Sequence, residues 1–159
     1  MMQEKRLTPD QALQKARHYC GYQERCHQEV KAKLFSFGLN RQEVDQVLST
    51  LIEEDYLNEE RFAIQYAGGK FRMKAWGRSR IKRELQQRQV SDYCIKKAMK
   101  EIPDADYFAA LEKLARTRWE SLKEEDKAAR LRKTQEHLLY KGYEWNLIKE
   151  TLSGLGPVD

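Results

Sequence analysis

Residues 70–90, KFRMKAWGRSRIKRELQQRQV, carry Lys70, Arg72, Lys74, Arg78, Arg80, Lys82, Arg83 and Arg88 against one acid, Glu84. Eight cations against one carboxylate set this window at +7, which leaves the other 138 residues at −2 under a chain total of +5. Such a block on a slightly acidic body can pair with phosphates or with an acidic protein surface. Trp76, inside the window, offers a ring either to the fold or to a bound partner.

Other chemistries are poorly served. His18, Cys20, Cys26 and His27 lie close in sequence, but their spacing is not that of a zinc site. Cys20 and Cys94 read as small apolar fillers, and Cys26 as a substituted helix cap. The acid clusters Glu53-Glu54-Asp55 and Glu124-Glu125-Asp126 are contiguous runs that fan around a helix instead of converging on a metal. No phosphate-binding loop, nucleophile elbow or H-E-x-x-H pair is present. A catalytic site, a metal and a cofactor are therefore not expected.

The elements that must position the basic block are helices. Charged residues make up 35% of the chain, while glycine and proline number 8 and 3, and strand signals are nearly absent. No apolar run approaches the ~20 residues that span a bilayer. The opening MMQEKRLTPD has no apolar signal core, and three cysteines do not make a disulfide framework, so a reducing, cytoplasmic setting is expected.

The chain also repeats itself. A shift of 51 places Val30, Leu34, Leu39, Val44, Val47 and Leu48 on Ile81, Leu85, Val90, Ile95, Ala98 and Met99. A shift of 104 places Leu34, Gly38, Leu39, Val44 and Leu48 on Leu138, Gly142, Tyr143, Ile148 and Leu152. The spacing is that of two helices joined by a tight turn. Gly38 and Gly142 suit the left-handed position that ends the first helix, where Gln89 stands at a steric cost. Asn40 and Ser91 suit the N-cap of the second helix, and Glu144 suits it poorly.

A further helix precedes each pair. Thr8-Pro9-Asp10-Gln11 reads as a capping box opening a helix with Ala12, Leu13, Ala16 and Tyr19 inward. Asn58 opens another, with Phe62, Ala63 and Tyr66 inward. Asp104 or Asp106 opens a third, with Phe108, Leu111, Leu114 and Ala115 inward. The expectation is an all-α protein of three tandem three-helix repeats, 8–57, 58–102 and 104–155, forming an elongated curved array. The third repeat holds seven more residues before its second helix, since Phe62 maps to Phe108 but Ile81 to Thr134. A longer helix or loop is expected near 116–130. The pair Gly68-Gly69 reads as a kink or a close packing point.

Within the basic block, Gly77 reads as an N-cap, with Trp76 and Ile81 as the hydrophobic staple. At 100° per residue Ile81 and Leu85 face inward, Arg80, Arg83 and Gln87 face away, Arg78 and Lys82 flank, and Arg88 snorkels. Arg78 and Arg80 then sit at the positive end of a helix, which costs ~0.3–1 kcal/mol each. A sequence shaped only for stability would place acids there, so the violation points to function.

The stretch YLNEERFAIQY at 56–66, followed by K-x-W-G-x-x-R-I-x-x-E-L at 74–85, resembles the RecX family, bacterial regulators of the RecA recombinase. Tyr56, Leu57, Asn58, Arg61, Phe62 and Ala63 fit the first half. Lys74, Trp76, Gly77, Arg80, Ile81, Glu84 and Leu85 fit the second. Arg25, Glu29, Val30, Lys33 and Leu34 fit the corresponding run of the first repeat. The chain departs from the pattern at Ala75 and Gln89, where glycines are expected, at Arg78 for a proline and at Cys26 for a serine. The resemblance implies an all-helical, non-catalytic regulator in recombination, DNA repair and the SOS response. It would act as a monomer that binds RecA–DNA filaments, meets single- and double-stranded DNA, inhibits strand exchange and ATP hydrolysis, and has no membrane partner. The site expected for RecA or DNA is Lys70, Arg72, Lys74, Trp76, Arg78, Arg80, Lys82, Arg83 and Arg88. The helix pairs also admit an alternative, a helix-turn-helix-like regulator acting on duplex DNA.

Overall fold

A computed structural model of the protein describes residues 6–155. Residues 1–5, part of the opening stretch read above for a signal core, lie outside the described residues, as do 156–159. The described residues form nine α-helices and no strand: α1 (Pro9–Tyr22), α2 (His27–Ser36), α3 (Arg41–Glu53), α4 (Glu59–Lys74), α5 (Arg78–Gln87), α6 (Asp92–Lys100), α7 (Asp104–Ser121), α8 (Lys127–Lys141) and α9 (Trp145–Ser153). None of these helices is long and apolar enough to cross a membrane.

The local chemistry of the helix ends follows the sequence closely. Thr8 Oγ1 accepts from the Gln11 N–H at 3.2 Å while Gln11 returns a bond to the Thr8 N–H at 3.0 Å, closing a capping box. Asn40 and Glu43 close a second at 2.8 and 2.9 Å. Asn58 caps α4 through the Arg61 N–H at 2.9 Å, and Ser91 caps α6 through the Cys94 N–H at 3.3 Å. Cys26 stands at the N-cap of α2, where Glu29 accepts from its backbone N–H at 3.2 Å. Burial pushes its thiol up to about 11. Gly38 (φ 88°), Gln89 (φ 60°) and Gly142 (φ 101°) all take the left-handed conformation that ends the preceding helix.

Three expectations need correction. The N-cap of α7 is Pro103 and makes no side-chain cap bond; Asp104 is the first helical residue instead. That register turns Tyr107 inward with Leu111, Ala115 and Trp119, while Phe108 is 47% exposed and Leu114 only half-buried. The pair Gly68-Gly69 does not interrupt α4, which runs unbroken through it. A Cβ at Gly69 would meet open space, and one at Gly68 would meet only the flexible Arg72 side chain. The extra length of the third repeat lies in both helices and turn, as expected near 116–130: α7 has 18 residues against 16 in α4, α8 has 15 against 10 in α5, and the turn 122–126 is longer than 75–77.

The described chain divides into two compact units: the chain up to Gln65 with Leu85–Lys97, and Tyr66–Glu84 with the chain from Ala98 onward. The helices α4, α5 and α6 each begin in one unit and finish in the other. The first unit is cored by Ala12, Ala16, Val30, Leu34, Val44, Leu51 and Leu57 from α1–α3 and the following turn. The second buries Ile81, Tyr107, Leu111, Leu138, Tyr143 and Ile148. Each buried Val, Leu or Ile among them contributes ~1.5–3 kcal/mol by leaving water. Thr134, the counterpart of Ile81, is fully buried because its hydroxyl donates to the Arg130 carbonyl at 2.8 Å.

Burial lowers the pKa of His27, at the first position of α2, and of His137, where Arg118 and Lys141 push in the same direction. A base whose folded pKa is depressed binds more protons unfolded than folded. Its stabilising contribution is therefore complete above the unfolded value of about 6.5 and declines as pH falls below it. The melting temperature should drop between pH 7.5 and 5.5, and the drop should shrink in a His27→Gln/His137→Gln protein. An unchanged drop in that protein would assign the pH dependence to other groups.

Candidate functional site

The second unit builds the basic segment around a break between two helices. α4 ends at Lys74, and Ala75 enters the left-handed region at φ 55°, in a place where glycine would be unstrained. Gly77 then starts α5, its carbonyl accepting from the Ile81 N–H at 3.1 Å. Glycine has no side chain with which to cap the helix, so the orphan groups on both sides of the break need outside partners.

Those partners come from α7 and the α8–α9 turn. The Arg78 N–H donates to the Tyr107 hydroxyl at 2.9 Å, the Ser79 N–H to the Gly142 carbonyl at 2.9 Å, and the Gly77 N–H to the Lys141 carbonyl at 2.8 Å. On the other side, the Tyr143 hydroxyl donates to the Ala75 carbonyl at 2.9 Å and Lys141 Nζ to the Lys74 carbonyl at 3.0 Å. The approach is so close that a Cβ on Gly77 would lie 2.4 Å from the Gly142 carbonyl carbon.

The charge problem at the start of α5 is solved in the same way. Arg78 pairs with Asp104 at 2.7 Å and with Glu144 at 3.2 Å, and its guanidinium lies 3.8 Å above the Tyr107 ring. Glu144 also accepts from the Tyr107 hydroxyl, which explains why it makes no cap bond to α9. Burial and that carboxylate push the Tyr107 pKa far up, so the phenol stays a donor. Burial, with the nearby Glu144 charge adding to it, pushes Tyr143 up to about 12. The two rings stack at 5.1 Å. Two carboxylates therefore offset Arg78 at the positive helix end, and its share of the cost expected from the dipole is met by tertiary partners.

Tyr107→Phe should remove one hydroxyl that serves the Arg78 N–H and Glu144 together. With Tyr107 fully buried, the loss is about 1–3 kcal/mol, read as a lower midpoint in urea. A midpoint equal to the parent's would mean that the pair is satisfied by water.

The expected site residues fall into two groups. Arg72, Lys74, Lys82 and Arg83 are exposed. Lys70, Trp76, Arg78 and Arg80 are half-buried and engaged by neighbours. Arg80 does not point away as the helical wheel has it. Its guanidinium lies 4.1 Å from the Trp76 ring and 4.8 Å from the Tyr140 ring, and donates to the Tyr140 carbonyl at 3.3 Å. Lys70 Nζ lies 5.0 Å from the other partner ring, Trp76, and 5.5 Å from Tyr66. Rings and cations thus alternate as Tyr66, Lys70, Trp76, Arg80 and Tyr140. The ladder ends in a tyrosine that is 67% exposed and that sequence reasoning did not mark. Its signal was weak: an aromatic two residues before Gly142, far from the basic window. Arg88 is half-buried and belongs to the other compact unit. Among the described residues, no three His, Cys, Asp or Glu side chains converge as metal ligands.

Comparison with known families decides the relationship. The model of the RecX second three-helix domain matches residues 58–99, and that of the third three-helix domain matches 104–152. The chain belongs to the RecX family. Curated relatives agree along most of its length. It is 29% identical to the "Regulatory protein RecX" of Prosthecochloris aestuarii, covering 91% of this chain and 93% of the relative. It is 26% identical to that of Clostridioides difficile, covering 91% and 68%. The crystal structure of RecX from Lactobacillus salivarius shares the fold, with a TM-score of 0.84 at 22% identity over 92% of this chain and 96% of that one. The break between α4 and α5 lies inside the second RecX domain, and the groups that cap it lie inside the third.

Proposed function

We propose that this RecX-family chain regulates the RecA recombinase by binding RecA–DNA filaments and inhibiting recombinase and ATPase activity, without catalysis of its own. Family membership supports the regulatory role. The observation that carries the molecular reading is the set of exposed cations Arg72, Lys74, Lys82 and Arg83 on a helix break fastened at both ends by the third repeat. Fixed cations bind polyanions with little ordering cost, because the backbone that carries them is already held. Lys70, Trp76, Arg78 and Arg80 serve mainly to hold that surface in place. The partners are the RecA filament and its single- or double-stranded DNA. The protein works as a monomer in the cytoplasm, as three tandem repeats over 8–57, 58–102 and 104–155.

The test is ATP hydrolysis by RecA on single-stranded DNA, titrated with this protein. Inhibition should saturate, and should weaken as salt rises, because each phosphate contact contributes a slope of roughly −0.7 to −0.9 in log affinity against log salt. No inhibition at saturating protein would remove the reading. Tight, sequence-selective binding to bare duplex without RecA would replace it with the direct DNA regulator.

A further inference from the structure

Outside this basic segment, in the first compact unit, α1 and the C-terminal part of α2 enclose an open cleft of about 540 Å³ lined by Gln14, Lys15, His18, Tyr19, Lys33 and Phe37. We propose that this cleft is a second nucleic-acid contact, which takes an unpaired nucleotide of a single strand, its base against the Tyr19 and Phe37 rings and its phosphates on Lys15 and Lys33.

The lining has the composition such a ligand needs. It has two half-buried aromatic rings, two lysines, one histidine and one amide, and no carboxylate. The rings are set by the fold, since Tyr19 and Phe37 both pack against the apolar core of α1–α3. Tyr19 is fixed further by Arg25, whose guanidinium lies 3.7 Å above the ring and donates to the Tyr19 carbonyl at 3.2 Å. The lysines lie at the outer limit of cation–π distance: Lys15 at 5.9 Å from Phe37, and Lys33 at 5.8 Å from Phe37 and 5.4 Å from Tyr19. Both lysines are exposed, and among the described residues neither meets a carboxylate. A base entering the cleft displaces mobile ammonium groups from the rings toward its own phosphates, so nothing buried has to be uncovered. Ring faces accept any base, whereas the side chains of an acidic peptide would leave them unused. Gln14 can donate to and accept from a base edge.

The cleft is also not a by-product of the repeat. Lys33 and Phe37 correspond to Glu84 and Arg88 in the second repeat and to His137 and Lys141 in the third. Only the first repeat puts an aromatic at the second of these places and a full cation at the first.

The proposal takes its choice of probe from the nucleic-acid side of the preceding reading, and the test separates the two. The full chain is irradiated with a single-stranded oligothymidine carrying 5-iododeoxyuridine, and its affinity is measured across a salt series. The comparison proteins are Lys15→Glu/Lys33→Glu and Lys82→Glu/Arg83→Glu, with melting curves as the control for folding. In the parent, adducts should map to His18, Tyr19 or Phe37. The Lys15→Glu/Lys33→Glu protein should lose those adducts and about tenfold in affinity, with a salt slope smaller by about 1.4. The adducts should persist in Lys82→Glu/Arg83→Glu, so that failure of the first basic surface leaves this result standing. Unchanged affinity and slope in Lys15→Glu/Lys33→Glu, adducts confined to other residues, or no binding by the parent would each overturn the proposal. Loss of binding to polyglutamate, with oligothymidine unaffected, would overturn it in favour of an acidic protein partner.

Discussion

Replacing Lys82 and Arg83 together with glutamate is expected to leave the fold intact and to cut RecA inhibition and DNA affinity by an order of magnitude or more. Both side chains are exposed in the middle of α5, so no core contact is lost. Acids there are neutral to favourable toward the helix dipole. The substitution swings the local charge by four units and removes two phosphate contacts, so the salt slope should fall by about 1.4–1.8. Arg80→Glu is a different experiment. It removes a guanidinium from between Trp76 and Tyr140 and sets a carboxylate beside the Tyr140 carbonyl. A loss of roughly 1–3 kcal/mol is expected, and its effect on activity would be confounded with stability. The measurements are the melting temperature and ATP hydrolysis by RecA for each protein. A Lys82→Glu/Arg83→Glu protein that inhibits as well as the parent would make the exposed cations of this segment ordinary solvated surface.

What was legible in the sequence was the chemistry contained within a few residues. The caps at Thr8, Asn40, Asn58 and Ser91, and the left-handed positions 38, 89 and 142, need only local atoms, and they stand where spacing puts them. The repeat also aligned Thr134 with Ile81, and both positions are buried. What was not legible depended on residues far along the chain. Matching Phe62 to Phe108 hid Tyr107, because the inward face of α7 is set by hydrogen bonds to Glu144 and Arg78, 37 and 29 residues away. The helical wheel turned Arg80 outward because it could not know that Tyr140, 60 residues on, would supply a ring and a carbonyl. The basic block itself was plain. Its division into cations that hold the fold and cations left to a partner was not, because the division is made by the acids and rings of the third repeat.

The contact between Gly77 and Gly142 is where that division is most exposed to a single change. Gly77→Ala should cost at least ~3 kcal/mol, because its Cβ would lie 2.4 Å from backbone atoms of Gly142, with no flexible side chain to yield. Separating the two turns would lengthen the bonds from the Gly77 and Ser79 N–H groups, and with them the tie that fixes the start of α5. Gly142→Ala should be at least as damaging: its φ of 101° is strained for an L-residue, and its Cβ would lie 2.3 Å from that of Arg80. Gln89 tests the same reasoning with the opposite sign. It holds the equivalent left-handed position at φ 60°, in the turn that ends α5, and its side chain is exposed. Gln89→Gly relieves a backbone strain of about 1–2 kcal/mol and gives part of it back through the added freedom of the unfolded chain, for a net gain of roughly 0.5–1 kcal/mol. Denaturation midpoints in urea should therefore fall well below the parent for Gly77→Ala and Gly142→Ala and rise above it for Gln89→Gly. Inhibition of RecA should weaken in the first two, although neither residue carries a charge. If Gly77→Ala melts with the parent, the two turns do not meet in solution, and the basic segment is not held from the third repeat.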